Sequence, residues 1–356
     1  MDIKKIQEIL KDEPKFRIKQ VYEAVFAKFI ENWDEATNLP AALREKLKAE
    51  APLEIKADIL ESADKNTVKA AIDFPDGRVE TVLMRHGEGR NTVCVSSQIG
   101  CLLGCEFCLT GACGFIRSLN FYEIVEQVLF FARYLRRGYF RKPTPSGQGP
   151  STPPGEGNER VSNIVFMGMG EPLLNYDEVM KAVRFLNDKE TFNIGARKIS
   201  ISTVGIIDGI KKLANEPLQI NLALSLHAPD DELRARIMPV AKNNPLKSLL
   251  KAVKSYIEKT NRKVMIEYLM LDKVNDSSAQ AQRLADLLKE NLGRLFMVNL
   301  ISYNETQKYH TSPPAVINNF KKILEREGIE TVQRFKFGRD VQGACGQLAG
   351  QRSRRT

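Results

Sequence analysis

From about residue 91 onward, short apolar runs alternate with longer amphipathic segments, and this order limits the possible folds more than any other feature. Six runs have the composition of strands buried on both faces: TVCVSS, NIVFMG, KISIST, INLALSL, VMIEYLML and LFMVNLIS. Helical periodicity marks the segments between them, such as FYEIVEQVLFFARYLRR, YDEVMKAVRFLND, PLKSLLKAVKSYIEK and SSAQAQRLADLLKEN. Buried strands separated by helices are typical of βαβ units and a parallel sheet. The sequence therefore predicts an α/β fold, a partial (β/α)6 barrel with ligands at the carboxyl ends of its strands.

Two smaller parts precede this barrel, which is predicted to span residues 91–345. In residues 1–60, apolar residues recur every three or four positions between breaks at Pro14 and Pro40, which predicts a small helical accessory domain. In residues 61–90, the segments TVKAAIDF and RVETVLMR flank the turn PDG and predict a β-hairpin extension. Residues 143–158 are rich in Pro and Gly and are expected to form a flexible insertion, and residues 346–356 a basic tail.

The balance of charge favours a polyanionic partner only weakly. Lys and Arg number 53 against 44 Asp and Glu, a formal net charge of +9. The stretch RYLRRGYFRK at residues 133–142 interleaves aromatic and cationic side chains, so we predict that it binds RNA together with the helical domain. No apolar run approaches 18 residues, and the start MDIKKIQEILKDEP does not resemble a signal peptide. A cytoplasmic protein that does not span a membrane is therefore expected.

Three cysteines, Cys101, Cys105 and Cys108, follow the first predicted barrel strand with the spacing C-x3-C-x2-C. In a reducing compartment, clustered cysteines more often hold a metal or act in catalysis than form disulfides. A structural zinc ion takes four protein ligands, and the nearby Cys113 breaks the paired C-x2-C pattern of such sites. Three thiolates would instead leave one iron of a 4Fe-4S cluster open to a substrate or cofactor. The spacing favours an iron–sulfur cluster, with zinc as the alternative.

Several motifs in the chain resemble those of a known family. CLLGCEFC resembles the cluster loop of the radical S-adenosylmethionine (SAM) superfamily, and VFMGMGEPLLN resembles its glycine-rich cofactor-binding segment. CVSSQIGC, TGACGFIRSL, SLHAPDDELR and ACGQLAG, taken in order, resemble the RlmN/Cfr family, whose members methylate an adenine of large-subunit ribosomal RNA. FRIKQVYEAVF extends the resemblance into the N-terminal helices, so that it covers nearly the whole chain.

The resemblance implies a radical SAM barrel and a set of site residues. A 4Fe-4S cluster would be held by Cys101, Cys105 and Cys108. Contacts to SAM would come from Gly170, Glu171, Ser202, Ser225, Leu226, His227 and Asn304. Cys345 would carry the methyl group, Cys94 would be the resolving thiol, and Glu80 would accept the proton of the adenine. Two SAM molecules would be used per turnover, one to methylate Cys345 and one to supply a 5′-deoxyadenosyl radical.

The implied activity is methylation of C2 of adenine 2503 in 23S rRNA, with adenine 37 of tRNA as a further expected substrate. An adenine carbon between two nitrogens is a poor nucleophile, so radical chemistry suits this target where ordinary displacement from SAM does not. A Cfr-like enzyme that methylates C8 of the same adenine and confers antibiotic resistance is the near alternative. A non-catalytic, zinc-containing RNA-binding protein and a radical enzyme for a small molecule are more remote ones. A low-potential electron donor and a monomeric state are also expected.

Overall fold

A computed structural model describes residues 1–138, 159–305, 308–334, 338 and 340–349 of the chain. The predicted insertion and the end of the basic tail lie outside the described residues. The strands are β1 (Ala57–Glu61), β2 (Thr67–Phe74), β3 (Gly77–Arg85), β4 (Asn91–Cys94), β5 (Gln98–Gly100), β6 (Phe115–Ser118), β7 (Asn163–Phe166), β8 (Ile199–Thr203), β9 (Asn221–Ser225), β10 (Val264–Met270), β11 (Phe296–Ser302) and β12 (Thr331–Gln333). All six predicted barrel strands are thereby confirmed, as β4 and β7 to β11.

One ten-stranded sheet contains most of these strands, in the order β1-β2-β3-β4-β7-β8-β9-β10-β11-β12. Neighbouring strands are antiparallel from β1 to β4 and parallel from β4 to β12. The parallel part is the partial barrel, and its strands all end at the same edge. Val82 of β3 lies opposite Cys94 of β4, so the predicted hairpin is part of the same sheet.

Helices form the N-terminal module and cover the outside of the barrel sheet. They are α1 (Ile3–Ile9), α2 (Lys15–Tyr22), α3 (Ala41–Glu50), α4 (Leu109–Ala112), α5 (Phe121–Arg136), α6 (Tyr176–Asn187), α7 (Ile207–Leu213), α8 (Asp231–Ile237), α9 (Leu246–Thr260), α10 (Ser278–Leu292) and α11 (Pro314–Arg326). The four helices predicted between barrel strands are confirmed as α5, α6, α9 and α10. The structure adds α7 and α8, which have seven residues each and are too short for a helical period to be recognised. No helix in the described ranges is long and apolar enough to cross a bilayer.

The hydrophobic core lies between the sheet and its helices and extends into the N-terminal module. Ile164, Leu222, Ile266 and Val298, on four of the parallel strands, are fully buried. Trp33 of the module belongs to the same apolar cluster and is 1% exposed. Parallel strands buried on both faces explain why these runs are apolar without alternation. The module therefore packs against the barrel through a shared core.

The basic stretch predicted to bind RNA contacts the N-terminal module in its described part. Arg133 is buried on α5 and donates a hydrogen bond to a backbone carbonyl oxygen in the segment that leads into β1. Arg136 pairs with Glu35 at 3.0 Å, and Arg137 pairs with Glu31, both in the N-terminal module. These arginines therefore help to attach the module to α5, and the predicted binding of RNA by this stretch stays a prediction. The rest of the stretch lies outside the described residues.

Aromatic contacts between the module and the barrel lead to a testable prediction. Phe26 is 1% exposed and packs edge-to-face on Phe185 of α6, with ring centroids 4.8 Å apart. We expect Phe26→Ala to lower the free energy of unfolding by about 3–5 kcal/mol, because the change removes apolar contacts and leaves a cavity. Urea unfolding followed by circular dichroism measures the loss, and limited proteolysis reports whether the module detaches.

Phe16→Ala is the matched control for this experiment. Phe16 is 56% exposed, so its removal should change the free energy of unfolding by less than about 0.5 kcal/mol. Faster cleavage of the N-terminal module is expected only in Phe26→Ala. Similar losses of unfolding free energy in the two variants would contradict the view that the buried ring of Phe26 holds the module on the barrel.

Candidate active site

The carboxyl ends of the barrel strands open onto one cavity, called the main cavity below. Its lining includes residues from most of the predicted groups: Cys101, Cys105, Cys108, Gly170, Glu171, Ser202, Ser225, His227 and Cys345. A smaller cysteine cavity is lined by Cys94 and Cys345, among other residues. Cys345 and Arg334 line both cavities, so the two spaces share a wall. The parallel sheet thus brings together side chains that are far apart in the sequence.

The loop that carries the three thiols is closed at its base by β5 and β6. The Cys101 N–H donates to the Gly114 carbonyl oxygen at 2.9 Å, which joins the two ends of the loop. Gly100 has φ +78°, and a Cβ there would lie 1.9 Å from the Gly114 oxygen, so only glycine fits. Burial raises the pKa of Cys101 to about 11, and burial with the neighbouring Cys108 raises the pKa of Cys105. These thiols therefore stay protonated at neutral pH until a metal's positive charge favours the thiolates.

The three thiols fit an iron–sulfur cluster by the chemistry of their donor set. Across the described ranges, no three His, Cys, Asp or Glu side chains are grouped so that they could hold a single metal ion. A cubane cluster does not require such a group, because each thiolate binds a different iron. All three thiols line the main cavity, so a cluster that they held would lie beside the predicted SAM contacts.

Glu171, which is predicted to meet the SAM ammonium, is 2% exposed in the main cavity. Its carboxylate accepts hydrogen bonds from the Val204 N–H at 2.9 Å and the Leu173 N–H at 3.0 Å. Burial raises the pKa of Glu171 to about 7, although these two donors act in the opposite direction. Gly170 has φ +94°, and a Cβ there would come within 2.5 Å of the Gln98 side chain. A ligand ammonium would favour the ionised carboxylate at neutral pH.

Two serines and a histidine line the main cavity at the ends of β8 and β9. The Oγ atoms of Ser202 and Ser225 lie 3.5 Å apart. His227 is buried, and its Nδ1 accepts a hydrogen bond from the Leu269 N–H at 3.1 Å. Burial lowers the pKa of His227 to about 3, so the imidazole is neutral. Because Nδ1 is an acceptor, the proton is on Nε2, which can donate to a ligand.

Two predicted SAM contacts are not part of the main-cavity lining. Leu226 is fully buried, and its N–H donates to the Glu267 carbonyl oxygen at 3.1 Å. Asn304 lines the cysteine cavity, where its Nδ2 donates to the Cys345 carbonyl oxygen at 3.4 Å. The structure thus groups Asn304 with Cys94 and Cys345, and its contact with SAM stays a prediction.

Cys94 and Cys345 face the same small cavity, although Cys94 ends β4 and Cys345 belongs to the C-terminal segment, residues 340–349. Burial raises the pKa of Cys94 to about 12, and Cys345 raises it further, whereas the cationic Arg334 acts in the opposite direction. Arg334 is also held at this wall by a hydrogen bond from Nη1 to the Met167 sulfur at 3.3 Å. None of the six cysteines, all of them described, is in a disulfide. Two thiols in one cavity have the access to each other that thiol exchange requires.

Glu80, the predicted proton acceptor, lines neither cavity and is bound to the C-terminal segment. It forms an ion pair with Lys69 of β2 at 3.1 Å, and both residues are 6% exposed. Its Oε2 accepts a hydrogen bond from the Ala349 N–H at 2.8 Å, and Lys69 Nζ donates to the Gln342 carbonyl oxygen at 3.5 Å. The pair therefore holds the segment that carries Cys345. Because Glu80 lies outside the lining of both cavities, its role as proton acceptor stays a prediction.

Two arginines at the site have no role in the sequence-based prediction. Arg234 is fully buried and donates to the carbonyl oxygens of Leu226 at 3.2 Å, Asn244 at 3.2 Å and Val204 at 2.6 Å. It thereby braces the loops that follow β8 and β9. Arg234 ends the motif SLHAPDDELR, so a signal for it was present in the sequence. Arg334 follows β12 and belongs to no motif, so only the structure identifies it.

Comparisons with known proteins agree with this arrangement. The sequence model of the Radical SAM superfamily matches residues 156–285. A crystal structure of a radical SAM methyltransferase from Sphaerobacter thermophilus superposes with a TM-score of 0.86 at 37% identity, covering 99% of this chain and 98% of that one. The barrel, the cysteine loop and the glycine-rich segment therefore define a radical SAM protein.

Full-length relatives narrow the class to one family. A relative from Symbiobacterium thermophilum, named a probable dual-specificity RNA methyltransferase RlmN, is 42% identical over 100% of this chain and 91% of its own length. A relative from Chloroflexus aurantiacus with the same name is 44% identical over 96% of this chain and 89% of its own length. The chain belongs to the RlmN family.

The buried pair of Lys69 and Glu80 leads to a second prediction. We expect Lys69→Met to lower the free energy of unfolding by about 3–5 kcal/mol, because it leaves the Glu80 carboxylate buried without its counter-charge. The C-terminal segment should also be held less firmly, so iodoacetamide should alkylate Cys345 several-fold faster. Denaturant unfolding and peptide mass spectrometry measure the two effects.

Lys48→Met is the matched control, since Lys48 forms an exposed ion pair with Asp34 and its loss should cost less than about 1 kcal/mol. The double change Lys69→Met with Glu80→Leu removes both charges and should recover most of the lost stability. If Lys69→Met lowers the free energy of unfolding no more than Lys48→Met does, and alkylation of Cys345 is unchanged, then the Lys69–Glu80 pair does not hold the C-terminal segment.

Proposed function

We propose that this chain is a radical SAM RNA methyltransferase that modifies C2 of adenine 2503 in 23S rRNA and adenine 37 of tRNA. The observation that carries the proposal is the pair Cys94 and Cys345, which share a cavity next to the three cluster thiols. Methyl transfer through a protein cysteine needs a carrier and a second thiol, whereas a non-catalytic zinc protein needs neither. The names of the relatives support an RNA substrate, and the net charge of +9 is compatible with it.

Bound SAM and a reduced 4Fe-4S cluster on Cys101, Cys105 and Cys108 would supply the methyl group and the radical chemistry at an unreactive ring carbon. The residues of the chain position the reactants and exclude water. Glu171 would hold the SAM ammonium, and the Nε2 proton of His227 would meet an acceptor on the ligand. These roles need only groups that already line the main cavity.

The C-terminal segment is held in place from the side of the cysteine loop. The Leu109 N–H donates to the Gly346 carbonyl oxygen at 2.9 Å, and the Thr110 hydroxyl donates to the Leu348 carbonyl oxygen at 2.6 Å. These bonds keep Cys345 at the wall between the two cavities, within reach of both a bound cofactor and Cys94. Placement of a methyl carrier at this wall is what transfer from cofactor to base requires.

Release of the product would use the second thiol. The sulfur of Cys345 would be bonded to the adenine through the transferred carbon, and Glu80 would take up the proton lost from the ring. A Cys94 thiolate would then attack the Cys345 sulfur, so that a disulfide bond forms as the sulfur–carbon bond breaks. The electron pair of the broken bond stays on the carbon, which takes up a proton and becomes the methyl group. Burial disfavours the Cys94 thiolate, and the positive charge of Arg334 partly offsets this.

A Cfr-like C8 methyltransferase of the same adenine is the second candidate, because it would use the same cysteines. We favour C2, since the curated relatives carry the name RlmN. The proposal includes a low-potential electron donor for the cluster, two SAM molecules per turnover, a cytoplasmic location and action as a monomer. The cytoplasmic location follows the expectation from the sequence, and the other three come from the resemblance to the family.

The direct test is an anaerobic assay with the reconstituted protein, SAM, a reductant and unmodified 23S rRNA. The RNA is digested to nucleosides and compared by mass spectrometry with 2-methyladenosine and 8-methyladenosine standards. We expect 2-methyladenosine, whereas 8-methyladenosine would establish the Cfr-like alternative. If 5′-deoxyadenosine forms without either methylated nucleoside, the radical chemistry stands and the RNA substrate is wrong. If metal analysis finds zinc without iron or sulfide, the result would instead support the alternative of a non-catalytic, zinc-containing RNA-binding protein.

Cysteine variants test the covalent route. We expect Cys345→Ala to give no methylated RNA, because the carrier is absent. Cys94→Ala should accumulate a covalent protein–RNA adduct, seen as a nuclease-sensitive band in a denaturing gel, because nothing releases the Cys345 sulfur. Cys113→Ala is the control, since Cys113 is exposed and lines neither cavity, and its turnover should be normal. Normal turnover by Cys94→Ala would remove its role as the resolving thiol.

A further inference from the structure

Glu267 is a charged residue in the middle of an otherwise apolar barrel strand. It lies in the run VMIEYLML on β10, is 2% exposed and lines the main cavity. None of the motifs considered above includes it. A carboxylate in the interior of a parallel sheet is unfavourable unless a partner compensates for its lost hydration. A carboxylate at this buried position therefore needs a compensating partner.

One oxygen of this carboxylate has a partner and the other does not. Oε2 accepts a hydrogen bond from Asn299 Nδ2 on β11 at 2.8 Å. Within the described residues, no donor reaches Oε1, which has no exposed surface. Burial raises the pKa of Glu267, while Arg334 and then the Asn299 bond act in the opposite direction. Leaving a buried acceptor without a hydrogen bond costs about 1–3 kcal/mol, and more for a charged group.

The nearest cation does not complete this site as an ion pair. In the described part of the chain, the guanidinium of Arg334 bonds to the sulfur of Met167, and Arg334 acts on Glu267 through its charge, without a hydrogen bond. Arg334 compensates for the charge of Glu267 from a distance, and Oε1 is left without a donor in a residue that lines the main cavity. A ligand in that cavity can therefore supply the missing donor.

The strands next to β10 indicate which ligand this would be. Glu267 lies opposite Ser225 of β9 and Asn299 of β11, so these side chains form one row across the sheet. Ser225 in turn lies 3.5 Å from Ser202, so the row runs from the two predicted SAM-contacting serines to Glu267. Glu267 does not line the cysteine cavity. Glu267, whose Oε1 has no donor, therefore lines the same cavity as the predicted cofactor contacts.

We propose that Glu267 binds an adenosine moiety, accepting a hydrogen bond at Oε1 from a ribose hydroxyl or from the exocyclic amine. The inference rests on the proposed function, because SAM and the target nucleotide are both adenosines. Hydroxyl and amine groups are neutral donors that suit a carboxylate already balanced by Arg334. Hydrogen bonds to charged groups are among the stronger ones in proteins, so this contact should contribute measurably to affinity.

Glu267→Gln tests the inference with little change of shape. Equilibrium dialysis with radiolabelled SAM on the anaerobically reconstituted protein should show an affinity at least about tenfold weaker than in the native chain. In the second arm of the experiment, the affinity of the same variant for unmodified 23S rRNA is measured in the same buffer at fixed salt. A loss in the SAM arm identifies the cofactor as the bound adenosine, and a loss confined to the RNA arm identifies the target nucleotide.

Thermal unfolding without ligand separates a binding role from a structural one. If Oε1 awaits a ligand, the unfolding midpoint of Glu267→Gln should stay close to that of the native chain, because Oε1 has no protein donor to lose and the amide oxygen can keep the bond from Asn299. The rise in midpoint on adding SAM should be smaller in the variant. A midpoint well below that of the native chain, with unchanged affinity for SAM, would mean that Glu267 only supports the fold.

Glu126→Gln is the matched control, since Glu126 is a buried carboxylate on α5 that lines neither cavity. It should leave SAM and RNA affinities unchanged. Unchanged affinities for both ligands in Glu267→Gln would overturn the inference while the proposed function stood. A native chain that binds SAM but methylates no RNA would overturn the proposed function, and the SAM arm would still decide the role of Glu267. A native chain that binds neither ligand would overturn both.

Discussion

The C-terminal segment lies between the hairpin and the cysteine loop, and the arrangement of the site depends on this contact. Hydrogen bonds from Leu109 and Thr110 hold the segment on one side, and the pair of Lys69 and Glu80 holds it on the other. Cys345 is thereby placed at the wall shared by the two cavities. If the segment were released, Cys94 would lose its thiol partner. The hairpin therefore serves the chemistry of the barrel by positioning a distant part of the chain.

Three buried charged residues lie at the end of the barrel where the main cavity opens. Glu171, Glu267 and Arg234 are each at most 2% exposed, and all lie in or beside the main cavity. Each destabilises the folded chain unless hydrogen bonds or an opposite charge compensate for its lost hydration. Arg234 is compensated by three backbone carbonyl oxygens, and Glu171 by two backbone amides. Glu267 has a single protein donor, which bonds to Oε2. Its Oε1 has none among the described residues, and in this Glu267 differs from Glu171 and Arg234.

The sequence-based prediction succeeded where a local pattern reports a local structure. Continuous apolar runs marked all six barrel strands, because strands covered on both faces carry no polar alternation. The RNA-binding role of residues 133–142 stays a prediction, and charge along the chain does not reveal that Arg136 and Arg137 face glutamates of the N-terminal module. The position of Glu80 was hidden for the same reason, because Lys69 and Ala349 meet it only in the folded chain.

The sequence by itself determined the order of strands and helices, the cysteine loop after the first barrel strand and, through its motifs, the family. These are properties of neighbouring residues, and spacing along the chain is enough to express them. Only the tertiary structure decided that Cys94 and Cys345 share a cavity and that Glu80 holds the C-terminal segment. It also decided that Oε1 of Glu267 has no hydrogen-bond donor among the described residues. Each of these depends on which groups burial brings together, because the cost of a buried charge is set by its partners in space.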